Sequence, residues 1–213
     1  MDRIVVDFGV DVQVYAELGK GNLCLRPVKC PRCGQENHLV GHGYYRRKPK
    51  GLRQGFVIWI KRWRCRDCQH TLSCLPNFVL SFRHYLLAII EQAVVVRFEQ
   101  QASWEGVETQ SAEQGVPTLR TIQRWCGAFA GQAATWLAAV QRALAQQDSA
   151  SPWLDPQGEA SKARSGAQAL LTASQHLLAW AKTQWWALVE YGLNNRLEFL
   201  WLWGSGRQLG RLV

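Results

Sequence analysis

Four cysteines arranged as two Cys-x-x-Cys pairs, Cys30-Pro-Arg-Cys33 and Cys65-Arg-Asp-Cys68, constrain this chain more than any other feature. Two thiolates at this spacing reach one metal ion, and two such pairs supply the four sulfur ligands of a closed tetrahedral Zn²⁺ site. Roughly thirty residues lie between the pairs and read as strands and turns, so a small β zinc ribbon is expected. A unit of that size cannot bury a large apolar core, and the metal would do much of the folding work. An iron–sulfur cluster fits the β context less well, and a redox Cys-x-x-Cys usually opens a helix in a βαβ unit. His38, His42 and His70 lie nearby. Because four thiolates complete the tetrahedron, each is expected at a turn or on the surface, with His70 placed to hydrogen-bond a sulfur of the second pair.

The ribbon also carries the positive charge. Formal net charge is +9, and between Arg26 and Arg66 twelve Lys/Arg face a single acid, Glu36. A merely solvated surface mixes both signs; a one-signed field suits phosphates. The candidate phosphate contacts are Arg46, Arg47, Lys48, Lys50, Arg53, Lys61, Arg62, Arg64 and Arg66. The other three cysteines, Cys24, Cys74 and Cys126, stand alone, so no disulfide framework is expected. No cleavable leader pattern is visible, and apolar runs break before the ~18 residues a membrane span needs. A reducing, cytoplasmic setting fits free thiolates, with no membrane partner.

The chain reads as α+β: a zinc ribbon, a helix-turn-helix-like helical domain and a C-terminal helical extension. Residues 1–25 alternate like a strand, with Ile4, Val6, Phe8 and Val10 on one face and Val12 and Val14 continuing it, before the turn Gly19-Lys20-Gly21-Asn22. Residues 26–75 are the ribbon, with Gly34 after the first pair, a turn at Pro49-Lys50-Gly51, and the clearest strand over 56–63. Residues 76–147 are helical. A first helix is expected over 82–97, a second from the cap Ser103 to about Gln114, a break at Gly115-Val116-Pro117, and a third capped by Thr118. A turn-rich linker follows over 148–165. Residues 166–213 form a Trp-rich extension with a helix over 167–189, a short helix or strand over 193–203, and a flexible tail from Gly204 to Arg207.

Helix, helix, turn, helix is the order of a helix-turn-helix. If Leu119, Ile122, Trp125, Cys126 and Phe129 face inward, Arg120, Thr121, Gln123 and Arg124 face outward. Arginine suits guanine edges, glutamine suits adenine, and threonine or arginine suits phosphate. A plain bundle with a solvated face is the competing reading. Trp59 and Trp63 on the basic strand pack the ribbon or stack on bases; packing is the expectation. Trp180, Trp185, Trp186, Trp201 and Trp203 are expected in a core or an oligomer interface, which would make a homodimer or a partner protein. No phosphate-binding glycine loop or nucleophile–base pair is evident. After the third helix Asp148, Asp155 and Glu159 fall in the linker, and Glu190 and Glu198 in a Trp-rich stretch. Two-metal chemistry needs carboxylates held together, so no catalytic residue and no small-molecule substrate is expected.

Cys30-Pro-Arg-Cys33-Gly34, His42-Gly43-Tyr44-Tyr45-Arg46-Arg47, Arg62-Trp63-Arg64-Cys65-Arg66-Asp67-Cys68 with Thr71, and Leu75-Pro76 resemble the N-terminal zinc-ribbon and helix-turn-helix regions of bacterial insertion-sequence transposases. Thr121-Ile122-Gln123-Arg124-Trp125 is similar to their third-helix segment. The resemblance covers about residues 24–130 and looks closest to an uncharacterised bacterial family that carries such a ribbon without a catalytic domain. It implies binding of double-stranded DNA and leaves no room for the DDE domain. The expected function is a non-catalytic, zinc-dependent DNA-binding protein. The alternatives are the recognition subunit or relic of a transposase that works with a separate catalytic chain, and a zinc-ribbon adapter between proteins.

Overall fold

The structure is a computed structural model and describes residues 2–22, 24, 26–113, 116–147, 162–184, 195–205, 207, 209 and 212–213. The expectations for Gly115, for the linker positions Asp148, Asp155 and Glu159, for Trp185, Trp186 and Glu190, and for Gly206 lie outside those residues. The chain is α+β and divides into two compact units, Met1–Leu86 and Leu87–Val213. Among the described residues no helix is long and apolar enough to cross a membrane.

The first unit is built on a four-stranded mixed sheet of β1 (Asp2–Val6), β2 (Leu39–Arg47), β3 (Ile58–Cys65) and β4 (Thr71–Pro76), in the order β1-β4-β3-β2. β1 runs parallel to β4, and the other neighbours are antiparallel. Of the N-terminal segment, β1 therefore shares one sheet with the ribbon strands. Side chains alternate across a strand with a period of two, so the register sorts the two faces. Arg3, Ser73 and Arg62 stand side by side across β1, β4 and β3. Tyr45 and Arg47, paired with Ile60 and Ile58, belong to the same face. On the other face Ile4, Leu72 and Trp63 join Leu39, Cys30, Cys65 and Cys68 in an apolar cluster. A bulge between Gly41 and Tyr44, with Gly43 at φ 73°, lets β2 turn past this cluster.

Val12 and Val14 correct the strand reading: they lie in α1 (Val12–Leu18). Asp11 is extended and accepts a hydrogen bond from the Val14 N–H at 2.9 Å, which starts a helix in place of a strand. The helical period then buries Tyr15 and leaves Val14 exposed. The Tyr15 hydroxyl donates to the Trp59 carbonyl at 3.1 Å and holds α1 to β3. A short 3₁₀ turn, Gly19–Gly21, follows.

The second unit is helical: α2 (Leu87–Phe98), α3 (Trp104–Ser111), α4 (Leu119–Gln147), α5 (Gly166–Gln184) and α6 (Arg196–Ser205). α2 begins five residues later than the apolar pattern indicates. Phe78, Val79, Leu80 and Leu86 are buried without a helix, so burial and not periodicity explains their hydrophobicity. Ser103 caps α3 through the Gly106 N–H at 3.2 Å. α4 is one 29-residue helix with Ile122, Trp125, Cys126, Phe129, Ala133 and Trp136 buried. α5 packs along α4, and α6 packs on α2 and α5. Gly204 and Ser205, expected in a flexible tail, close α6, and Gly204 is buried. Any alanine Cβ at Gly204 would fall 2.2 Å from the Trp136 ring.

Candidate metal centre

Each cysteine pair sits in a tight turn that its own backbone closes. Gly34 N–H donates to the Cys30 carbonyl at 2.9 Å, and Cys30 N–H to the Gln35 carbonyl at 2.9 Å. In the second pair Cys65 N–H donates to the His70 carbonyl at 2.9 Å. The residue after each second cysteine is left-handed: Gly34 at φ 77° and Gln69 at φ 57°. The turns are thus two copies of one device. Glycine takes that conformation without strain; Gln69 takes it with its amide donating to the Arg66 carbonyl. A bond from Arg66 N–H to the His38 carbonyl at 2.9 Å ties the second turn to the entry of β2.

The turns bring Cys30, Cys33, Cys65 and Cys68 together, with all four sulfurs within 4.8 Å of one another. Cys30 Sγ lies 3.7 Å from Cys68 Sγ, and Cys33 Sγ lies 3.6 Å from Cys65 Sγ. A tetrahedron of sulfurs each about 2.3 Å from zinc has an edge of about 3.8 Å. These separations fit that edge and are far too long for a disulfide. The group can hold a metal ion, and an all-thiolate tetrahedral set suits zinc.

Burial acts to raise the Cys30 thiol, but the backbone N–H groups of Cys33 and Arg32 and the neighbouring thiols outweigh it and bring it down to about 7. Cys33, Cys65 and Cys68 stand above the ordinary thiol value. The N–H groups of Gln35, Cys68 and His70 respectively act to lower them, and burial and the crowded sulfurs prevail. Four thiols so close cannot all ionise without a cation among them, which is what a metal ion supplies.

Around the sulfurs lie residues that the cysteine spacing alone does not reveal. Asp67 Oδ2 is 3.7 Å from Cys65 Sγ and 2.6 Å from His38 Nδ1. Arg32 Nη1 lies 2.7 Å from His70 Nδ1; because arginine only donates, that nitrogen accepts. The contact from His70 to a sulfur comes from its backbone N–H, onto Cys68. Cys24 and Cys74, read as standing alone, are hydrogen-bonded neighbours. The Cys74 contact, against burial, brings Cys24 down to about 7, and the same contact holds Cys74 far above the ordinary thiol value.

The structure distributes the candidate nucleic-acid contacts unevenly. Arg46, Lys48, Lys50, Arg53, Arg64 and Arg66 are exposed. Arg47 is half-buried and donates through Nη2 to the carbonyls of Leu80 at 3.0 Å and Arg83 at 2.7 Å. Lys61 lies over the rings of Tyr44 and Trp63, at 4.4 and 5.0 Å. Arg62 is half-buried. Trp63 packs in the metal-side cluster and Trp59 lies under Lys20 at 4.5 Å. In the second unit Arg120, Gln123 and Arg124 are exposed on the first turns of α4. Thr121 is half-buried, its hydroxyl 3.1 Å from that of Thr118. Trp201 is buried, and Trp203 lies under Arg207 at 4.3 Å.

Residues 30–125 match the model of a family described as a domain of unknown function, DUF6431. The match starts at the first metal-ligand candidate and ends at the buried Trp125 of α4, rather less than half of the chain. No curated protein and no solved structure matches the chain. The resemblance to transposase DNA-binding regions gains nothing from these comparisons.

Proposed function

We propose that the chain is a zinc-dependent, non-catalytic protein that binds double-stranded DNA. The observation that carries this reading is the strongly cationic surface of the metal-bearing unit, in which fifteen Lys/Arg stand against six Asp/Glu. Arg46, Lys48, Arg64 and Arg66 are exposed and make no ion pair among the described residues. Unpaired, exposed cations grouped on one module are what phosphates attract. Zn²⁺ at Cys30, Cys33, Cys65 and Cys68 would hold β2 and β3 in register and so place these side chains. In the second unit α4 would act as the reading helix of a helix-turn-helix. Its inner residues Ile122, Trp125, Cys126 and Phe129 are buried, which leaves Arg120, Gln123 and Arg124 outward.

Selection of bound sequences from random duplexes, followed by affinity measurements over a range of salt, tests the reading. Affinity should fall steeply with salt, and Arg64→Gln with Arg66→Gln should weaken binding to all sequences alike, each lost contact flattening the log–log slope by about 0.9. Arg120→Ala or Arg124→Ala should relax preference at particular base pairs by roughly 1–3 kcal/mol. Failure to bind any duplex, or a salt-independent affinity, would overturn the proposal.

A further inference from the structure

One face of the sheet in Met1–Leu86 borders a cavity of about 690 Å³, the size of a small-ligand site. Six cations line it, Arg3, Arg46, Arg47, Lys48, Arg62 and Arg83, and no carboxylate does. The strand register explains why they converge. Arg3 and Arg62 flank Ser73 in one row across the sheet, and Arg47 lies on the same face of β2. So many like charges repel one another. Burial, with Arg3 adding to it, holds the Arg47 guanidinium below its usual value. The protein steadies Arg47 with two carbonyls and stacks Arg3 over the Phe82 ring at 4.1 Å. Neither contact supplies a negative charge.

Two buried polar atoms indicate what would complete the cavity. Ser81 is only 8% exposed, and its Oγ has no hydrogen-bond partner among the described residues. Arg62 Nε is buried and equally unmatched. A guanidinium N–H only donates, and a serine hydroxyl can donate. Buried donors in a cationic cavity match an anionic acceptor with several oxygens. Tyr45 and Phe82 add aromatic surface. Phe82 is 67% exposed and sits at φ 62°, a costly conformation for a bulky side chain.

We infer that this cavity binds the phosphate of a nucleotide, with the Ser81 hydroxyl and Arg62 Nε donating to phosphate oxygens and the rings of Tyr45 and Phe82 against the sugar or base. A free mononucleotide and the 5′-phosphorylated end of a strand share this chemistry. Assignment to a strand end rests on the nucleic-acid reading above; assignment to a mononucleotide does not, and it adds a small-molecule ligand where the sequence led us to expect none.

Calorimetric titration of the full chain with adenosine monophosphate, with 5′-phosphorylated hexathymidylate and with the same hexamer bearing a 5′-hydroxyl tests the inference. At least one phosphorylated probe should bind, the 5′-hydroxyl hexamer should bind at least tenfold more weakly than its phosphorylated form, and inorganic pyrophosphate should compete. Ser81→Ala and Phe82→Ala should each weaken the phosphorylated probe at least tenfold. A tighter hexamer assigns the strand end, and a tighter mononucleotide assigns the free ligand. No binding by either phosphorylated probe, equal binding of the two hexamers without binding of adenosine monophosphate, or unchanged affinity in Ser81→Ala, Phe82→Ala and Arg62→Gln alike would overturn it. Duplex binding measured in parallel separates the two proposals. Duplex binding without nucleotide binding removes the cavity assignment alone, and nucleotide binding without duplex binding keeps it and removes the DNA reading.

Discussion

Gly34 and Gln69 occupy the same place in the two cysteine-bearing turns and solve the same problem differently. Both are left-handed, a conformation that costs an ordinary residue about 1–2 kcal/mol and glycine nothing. A Cβ at Gly34 would meet only the Lys29 side chain at 3.7 Å, so the whole cost of Gly34→Ala is conformational. We expect about 1–2 kcal/mol of lost stability in the metal-loaded unit, read as easier zinc loss in a chelator titration. Gln69→Gly should change the same titration by less than about 1 kcal/mol, because relief of strain is offset by greater freedom in the unfolded chain. Gly204 poses the opposite case. It lies in a helix, where alanine is normally better by about 1 kcal/mol. Here the added methyl would strike the fully buried Trp136 ring. Overpacking of this kind costs about 1–3 kcal/mol, so Gly204→Ala should lower the denaturation midpoint despite its better helix propensity. A raised midpoint would show that α6 does not approach Trp136.

At the scale of elements, α6 is held by its N-terminus as well as by its apolar face. Glu91 on α2 accepts the backbone N–H groups of Arg196 at 3.1 Å and Leu197 at 2.8 Å. Asn195 caps the Glu198 N–H at 3.0 Å. A carboxylate at the positive end of a helix, bonded to its free N–H groups, is favourable. Arg196 bridges Glu91 and Glu99 at a largely buried position. Burial pushes the Glu91 carboxyl above its usual value, against the bonds from Leu197 and Arg196. Glu91→Ala would strip two N–H groups of their acceptor and leave Arg196 with Glu99 alone. The expected loss is about 3 kcal/mol, and Glu91→Gln, which keeps an acceptor, should lose less. Chemical denaturation of both variants checks the order. Equal losses would mean that the charge and not the hydrogen bonding matters.

For the whole molecule, the division at Leu86/Leu87 separates the unit that a metal at the four cysteines would support from the one that an ordinary core supports. The four candidate metal ligands lie in Met1–Leu86, and all the described helices but α1 and the short 3₁₀ turn lie in Leu87–Val213. Chelation should therefore abolish hydrogen-exchange protection around Cys30–Leu39 and Arg64–Leu72 while the far-UV helical signal persists. Structural zinc sites contribute on the order of 10 kcal/mol to small domains, so the loss in the first unit should be cooperative. Protection that survives chelation would mean that the apolar cluster of Ile4, Leu39, Trp63 and Leu72 suffices alone.

Each half of the four-cysteine cluster was legible in the chain because Cys-x-x-Cys is a local geometry: two sulfurs three residues apart converge whatever the rest of the fold does, whereas the meeting of the two halves follows the pairing of β2 with β3. The inner face of α4 was legible for a similar reason, since a 3.6-residue period needs only its own neighbours. The caps Asp11 and Ser103 are equally local, yet only Ser103 was read correctly. At Asp11 the alternating Val10, Val12 and Val14 mimic a strand, and burial of Tyr15 against β3 decides for a helix. What the chain alone could not reveal is everything that depends on register between distant segments. Arg3, Arg62 and Ser81 lie far apart in sequence and line one cavity only because β1 pairs with β4 and β4 with β3. Gly204 reads as the start of a flexible tail until Trp136 stands against it. Glu91 and Arg196 are more than a hundred residues apart, and no periodicity links them. Short-range patterns wrote the two halves of the metal site and the helix faces into the sequence. The cavity, the anchoring of α6 and the fit of Gly204 belong to the tertiary structure, because their energies arise between residues that only packing brings together.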